Sequence, residues 1–330
     1  MRLTCKAKRE QIAIANTLHQ VKYSFAMTIP QSLLMSLVLG LLSTLSASGA
    51  NLLQVASFST VLTEIAQQVG SDHVIVAGLV RPGQDPHEYQ PTPEDLRQAA
   101  SAKLILLSGK HLEHYLDKVQ QATGGKAASL AVGDALASLR MKVDPDEKAK
   151  VSADRNGMIE DPHWWNSVVN VEKATVIVRD ELSKVDPANR ADYDRNARAY
   201  LAKLEELDQW AKRKVAELPR DKRKLVTSHD AFQYLAKDYG FKVYAIEGVS
   251  TETEPSDRHI ADLIDEIRKE QVKAIFLENT LNPKVSVEII KETGAKIGGT
   301  LYADGLGEGD GSTYDGMVRH NIATIVDSLK

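Results

Sequence analysis

Strand-like and helix-like stretches alternate along this chain from residue 52 onward. Leu52 to Phe58 reads as a first strand, Val61 to Val69 as a helix and His73 to Val80 as a second strand. Thr92-Pro93-Glu94-Asp95 opens a helix, with Thr92 as the cap, Pro93 at the first position and Asp95 in the first turn. Lys103 to Leu107 is a nearly unbroken apolar run, the mark of a strand buried on both faces. Residues 141–160 are polar, contain Asp144-Pro145-Asp146 and Asn156-Gly157, and read as a loop. A second alternation fills the C-terminal part. Strands are expected at 224–228, 242–246, 273–277 and 296–301, helices at 231–239, 255–270 and 283–293, and a last helix from about Tyr314 to Leu329. Strands alternating with helices imply parallel sheets.

Between the two alternations lies a different pattern. Asp186-Pro187 offers a cap and a first-position proline. Apolar residues then recur at Tyr193, Ala197, Tyr200, Leu201, Leu204, Leu207, Ala211 and Val215, always three or four apart, or adjacent on one face. Nothing breaks the pattern before Pro219. About 30 helical residues would span about 45 Å. One helix of that length, midway between two α/β halves, reads as a rigid strut; a helical hairpin is the alternative. The expected fold is therefore α/β: two Rossmann-like lobes with parallel sheets, joined by one long rigid α-helix. The expected division is 51–185 for the first lobe, 186–219 for the connecting helix and 220–330 for the second lobe.

With 330 residues the chain is too long for one typical core. Its 43% hydrophobic and 26% charged content is that of an ordinary globular protein. The net charge of −4 hides an asymmetry. Residues 1–50 hold Arg2, Lys6, Lys8, Arg9 and Lys22 against Glu10 alone, so the remainder is acidic. An acidic body without a basic patch argues against a nucleic-acid partner. The basic start leads into the apolar run from Ser32 to Leu42 and then the small residues Ser46 to Ala50, the layout of a secretory signal over residues 1–50. Cleavage is expected after Ala50, with Ala47 as the rival, and Met27 can serve as the start, which would make residues 1–26 an artefact. An uncleaved membrane anchor is the other reading. The one cysteine, Cys5, lies in this leader. The mature chain would then carry neither a disulfide nor a lipid-modified cysteine, and free residence in a periplasm is the simplest expectation.

The candidate chemistry lies in four short signatures at expected strand ends. They are Asp85-Pro86-His87-Glu88-Tyr89, Asp161-Pro162-His163-Trp164-Trp165, Ser228-His229-Asp230-Ala231-Phe232 and Ala303-Asp304-Gly305. Ends of this kind are where open α/β sheets bind ligands. Three imidazoles and a carboxylate suit one four-coordinate divalent ion, best zinc. The four are spread over more than 200 residues, so only the tertiary fold can assemble them. His87, His163 and His229 are the firmer candidates. For the fourth position Asp310, Asp315 and Glu278 compete with Asp304. His111 and His114 fall three apart on an expected helix, where a weak surface ion is the alternative to plain solvation. Trp164 and Trp165 are expected to pack over the site.

These residues closely resemble the metal-receptor family of ATP-driven importers, the zinc- and manganese-binding solute-binding protein family 9. The resemblance rests on Gln84 to Tyr89 with Pro93-Glu94-Asp95, on Asp161 to Trp164, on Ser228 to Phe232 and on Phe276-Leu277-Glu278, and it covers about residues 51–330. It implies two α/β lobes joined by one long helix, with one metal in the cleft at His87, His163, His229 and Asp304. It also implies a monomeric periplasmic receptor, not an enzyme, that delivers its ion to the membrane permease and ATPase of an ABC importer. Zn2+ is expected, one per chain, with Mn2+ as the alternative, because manganese receptors of this family often carry a glutamate where this chain has His229. A metal-binding adhesin or buffer without a transport role is the other reading. A hydrolase would need an open coordination position and a base such as Glu88 or Glu278. The sequence departs from the family in having no histidine-rich loop, since residues 141–160 contain no histidine.

Overall fold

The computed structural model describes residues 52–142, 153–252 and 254–330. The leader read over residues 1–50 lies outside them, as does the middle of the 141–160 segment. The first sheet has four parallel strands, β1 (Leu53–Ser57), β2 (Val74–Gly78), β3 (Leu104–Leu107) and β4 (Ala128–Ala131), in the order β2-β1-β3-β4. The helices α1 (Thr60–Gly70), α2 (Pro93–Ser101) and α3 (Leu116–Thr123) connect them. Thr92 and Asp95 form the expected capping box at α2. The second sheet repeats the plan after residue 224. Its strands are β7 (Lys224–Thr227), β8 (Lys242–Ala245), β9 (Ala274–Glu278) and β10 (Lys296–Leu301), ordered β10-β9-β7-β8 and again parallel.

Some elements differ from the expectation. The segment read as a loop over 141–160 carries an antiparallel pair, β5 (Arg140–Lys142) with β6 (Met158–Glu160). Asp154 closes the turn before β6 by accepting the backbone N–H groups of Asn156 and Met158, and Gly157 supplies a φ of 71°. The helix expected to carry His111 and His114 begins only at Leu116. Before it the Glu113 carboxylate accepts the backbone N–H groups of Ser108 and Gly109 and curls the chain into a turn, with Lys110 and His111 in the left-handed region.

The long helix is present and somewhat shorter than expected. Pro187–Asn189 form a 3-10 turn, and the α-helix proper, α5, runs over the 27 residues Arg190–Ala216, about 40 Å. It is not alone. While the 186–219 stretch itself holds one α-helix and not the hairpin of the alternative, an 18-residue helix, α4 (Val168–Val185), precedes it and folds back along it. Its six valines obscure it in the sequence, since β-branched residues argue for strand. One face of it, Val168, Val171, Ala174, Thr175, Val178 and Leu182, is nonetheless buried at helical spacing.

The α5 helix still does what a strut should. Near its start Asn196 donates to the Val69 carbonyl (3.1 Å) and Tyr200 to Glu64 (3.0 Å), both on α1 of the first lobe. Near its end Asp208 accepts from Tyr239 (3.1 Å) of the second lobe, and Lys214 pairs with Asp327 (2.8 Å) on the last helix, α9 (Tyr314–Leu329). One continuous apolar core runs from Leu53 and Leu106 through Tyr193, Leu204 and Ala211 to Phe276 and Ile325. Opening the lobes wide would have to break that core, a large loss of buried apolar area.

Candidate metal centre

The second-lobe ligand candidates leave the two strands that flank β9. His229 follows β7 by two residues and Asp304 follows β10 by three. Between these strands runs β9, which ends in Glu278, so β9 can reach both neighbours. Chain connection reverses direction between β7 and β9, the switch point at which a crevice opens in sheets of this type. Gly305, just past Asp304, has a φ of 136°, and a Cβ there would stand 2.3 Å from Thr60 Oγ1. The glycine lets the Asp304 loop lie against the start of α1, where the Leu306 N–H donates to Thr60 (2.8 Å).

The first-lobe candidates both come from Asp-Pro-His triplets. In each the aspartate accepts the backbone N–H of the histidine two residues on, 2.8 Å from Asp85 to His87 and 2.9 Å from Asp161 to His163. This is the local Asx turn that aspartate favours, with a proline stiffening its middle. His87 lies in the long β2–α2 loop and His163 in the turn between β6 and α4.

The fold brings the four candidates into one cluster, each buried and each offering one ligand atom, all within 4.8 Å of one another. His163 Nε2 is 3.0 Å from His87 Nε2 and 3.2 Å from His229 Nε2. Asp304 Oδ1 is 3.3, 3.7 and 3.8 Å from the Nε2 atoms of His229, His87 and His163. Zinc–ligand bonds of 2.0–2.2 Å in a tetrahedron give edges of about 3.3–3.6 Å. The separations match such edges to within about 0.3 Å. Asp304 Oδ1 is buried without a hydrogen-bond partner, an arrangement that is expensive unless something positive faces it.

A set of acceptors holds the cluster from behind. Asp161 Oδ1 is 2.8 Å from His163 Nδ1. Glu278 takes both the backbone N–H (3.0 Å) and the Nδ1 side of His229. Glu278 therefore stands behind a candidate ligand and outside the cluster of four. Thr280 donates to Asp304 Oδ2 (2.8 Å). The sequence reading missed Asp161 and Thr280; only the repeated Asp-Pro-His triplet hinted at the first. The rival carboxylates are engaged elsewhere, Asp310 with Tyr302 and His320 and Asp315 with Arg319. Glu88 is exposed. His111 and His114 line a cavity of about 50 Å³ beside His87, and His114 lies 3.8 Å from Glu252; neither joins the cluster.

Of the two tryptophans, Trp165 packs on the site as expected, whereas Trp164 packs against Trp165 and donates to the Ser108 carbonyl (3.1 Å). Trp165 meets the His163 ring edge-on at 5.4 Å between centroids and donates to the Ala303 carbonyl (2.8 Å). Asn166 donates to Ala303 and Ala231, both at 3.0 Å, and Tyr314 donates to the Trp165 carbonyl (2.8 Å). These bonds tie the His163 turn to the loops carrying His229 and Asp304.

Electrostatics divides the three imidazoles. Burial pushes His163 down to about 3, and burial with the neighbouring His163 holds His87 well below its usual value. Burial also opposes charge on His229, but the carboxylates of Glu278 and Asp304 outweigh it and raise that imidazole well above the usual range. Asp304 is lowered despite its burial, because the imidazoles, His229 foremost, favour its charged form. Asp161, buried with no full countercharge, rises to about 7.

The model of the family described as zinc-uptake complex component A, periplasmic (ZnuA), matches residues 55–328. The chain is 36% identical over 285 residues to the manganese-binding lipoprotein MntA of Bacillus subtilis, covering 84% of this chain and 90% of that one. It is 34% identical over 274 residues to the iron-binding protein YfeA of Yersinia pestis, covering 82% and 85%. The solved structure of the periplasmic zinc-binding protein TroA from Treponema pallidum superimposes with a TM-score of 0.74 at 30% identity, covering 83% of this chain and 98% of that one. These relatives are named for three different metals. The chain belongs to the ZnuA family, the solute-binding receptors of metal ABC importers.

Proposed function

We propose that this chain is a periplasmic zinc receptor that binds one Zn2+ through Nε2 of His87, His163 and His229 and Oδ1 of Asp304, and passes it to the permease and ATPase of an ABC importer. The observation that carries the reading is the unpartnered, buried Asp304 Oδ1 facing three Nε2 atoms at tetrahedral edge lengths. Three nitrogens and one carboxylate oxygen suit zinc better than manganese, which prefers oxygen-rich shells. Four protein ligands also leave no position for a reactive water, which suits carriage rather than hydrolysis. The signal-like layout of residues 1–50 supports export.

Zinc outcompetes manganese at most sites of this kind, so affinity in vitro does not identify the cargo. The likeness to the manganese-binding lipoprotein MntA favours the second reading, a manganese receptor on the same four ligands. Metal analysis of the protein purified from periplasm without added metal decides. Zinc near one per chain supports the proposal. Manganese in its place supports the second reading, and a metal-free chain that takes up no zinc on titration overturns both.

A further inference from the structure

We propose that Thr280 is a specificity-determining residue, which holds Asp304 to a single metal-facing oxygen and so keeps the shell four-coordinate. The inference rests on the ligand set proposed above. The Asp304 carboxylate has two oxygens with unlike surroundings. Oδ1 faces the three Nε2 atoms and has no hydrogen-bond donor, whereas Oδ2 accepts the Thr280 hydroxyl at 2.8 Å. A carboxylate that gripped an ion with both oxygens would have to share Oδ2 between the ion and that hydroxyl, weakening a charge-assisted hydrogen bond in a place where the carboxylate side chain is almost wholly buried.

The position of Thr280 explains how one residue can do this. Glu278 ends β9 and Thr280 follows two residues later; β9 lies between β7 and β10. From this one strand end Glu278 reaches His229, beyond β7, and Thr280 reaches Asp304, beyond β10. The central strand thus sets the orientation of both second-lobe ligands, one by accepting and one by donating. Zinc is satisfied by four ligands in a tetrahedron, while manganese favours more oxygens and higher coordination numbers. Freeing Oδ2 would add a fifth, oxygen ligand and move the site toward manganese.

The test uses the full mature chain as wild type, Thr280→Val and Thr280→Ser. Valine keeps the shape of threonine and removes the donor; serine keeps the donor. Each protein is loaded with Co2+, whose visible absorption is intense in four-coordinate and weak in five-coordinate sites. Zinc and manganese affinities are then measured against a chelator. The wild type should give the four-coordinate spectrum and Thr280→Val the weaker one, with the preference for zinc over manganese reduced about tenfold, the lower end of the effect of residues that support metal ligands. Thr280→Ser should restore both readouts. If Thr280→Val keeps the wild-type spectrum and weakens both metals equally, Thr280 only tethers Asp304 and the inference falls alone. A five-coordinate wild-type spectrum also overturns it. A wild type that binds neither cobalt nor zinc overturns the ligand set, and this inference with it.

Discussion

The tripeptide Asp-Pro-His occurs twice at this site and does two different things. In both copies the aspartate fixes the backbone of its histidine through the same short turn. At Asp161 the same carboxylate oxygen also holds the His163 ring, 2.8 Å from Nδ1. At Asp85 the second oxygen turns away from the ring and accepts from Thr251 (2.8 Å) on the loop after β8. His229 follows the Asp161 pattern, with Glu278 behind it, and Asp304 is held by Thr280. His87 alone has no carboxylate on its far ring nitrogen among the described residues. The site therefore has an inner side with buried, oriented ligands and a mouth side where the ligand loop is tied to the opposite lobe. Orientation by a supporting carboxylate fixes both tautomer and aim of an imidazole. The difference teaches that a shared local motif sets where a histidine sits, while its tertiary neighbours decide how firmly the ring is held.

The largest expected contrast comes from removing one imidazole on each side. His229→Ala and His87→Ala should both weaken zinc binding beyond the 10–100-fold typical of supporting residues. Their effects on the metal-free fold should differ. His229→Ala strands the Glu278 carboxylate, which is buried to 4% exposure. Breaking a buried pair from one side costs about 3–5 kcal/mol. His87→Ala strands no carboxylate and should cost about 1 kcal/mol, the usual range for a single substitution. Denaturant unfolding of the two metal-free variants checks this, and equal losses would break the comparison.

Exchanging the two aspartates sharpens it. Asp161→Asn removes the acceptor that aims His163 and should lower zinc affinity about 10–100-fold. Asp85→Asn keeps an oxygen for the His87 backbone and never touched the ring, so its loss should stay under about tenfold. Chelator competition at one pH measures both. A larger loss for Asp85→Asn would place the critical support at the mouth.

Protonation offers a third contrast. His163 and His87 are neutral before any ion arrives, the first pushed down to about 3 and the second well below its usual value by burial. His229 is the imidazole that Glu278 and Asp304 push toward its protonated form against its burial. The sign follows. A raised folded value stabilises the metal-free chain fully below the unfolded value of about 6.5 and loses that contribution as pH rises through the folded value. A ligand nitrogen must shed its proton to bind, so zinc affinity should fall on acidification, about tenfold per pH unit for one displaced proton. At pH 8, above the values near 7 to which burial lifts Asp161 and Glu247, each bound ion should release one proton. Calorimetry in buffers of different ionisation enthalpy counts it. Two protons would mean that the mouth histidine is charged as well, and three that His163 is too.

Much of this arrangement was legible in the sequence, and the rest was hidden for physical reasons. The strands that build both sheets show as apolar runs because parallel strands are covered on both faces, as at Leu104–Leu107. β4 was missed because Ala128, Ser129 and Ala131 carry no strand signature at an edge of the sheet. The α4 helix hid behind its valines, and tertiary packing overrode their preference. The candidate ligands stood out because histidine next to Asp-Pro, or between serine and aspartate at a strand end, is a distinctive context. Their supports did not: Thr280 and Thr251 are ordinary threonines, and what they do depends on a partner 24 or 166 residues away. Glu278 was noticed at its strand end, but only its contact with His229 shows that it stands behind a ligand.

The smallest expected effect tests the mouth itself. Among the contacts that cross it between the lobes, Thr251 donates to Asp85, His114 faces Glu252, and Ile159 on β6 shares a small apolar cluster with Val249. Of these the Thr251–Asp85 bond is the one that touches the His87 triplet, and it is only half-buried. A hydrogen bond to a charged group contributes about 1.5–3 kcal/mol when well buried and less near solvent. Thr251→Val keeps the shape and removes the donor, so it should loosen the His87 loop by about 1 kcal/mol, under a tenfold change in any rate that loop controls. Zinc release into excess chelator, followed by stopped flow, should quicken several-fold. Unfolding of the metal-free chain should lose no more than about 1 kcal/mol, because the inner side of the site and the α4–α5 packing are untouched. If release is unaffected by Thr251→Val while Asp161→Asn quickens it, the ion leaves without disturbing the mouth, and the division between a fixed inner side and a yielding outer one has the wrong gate.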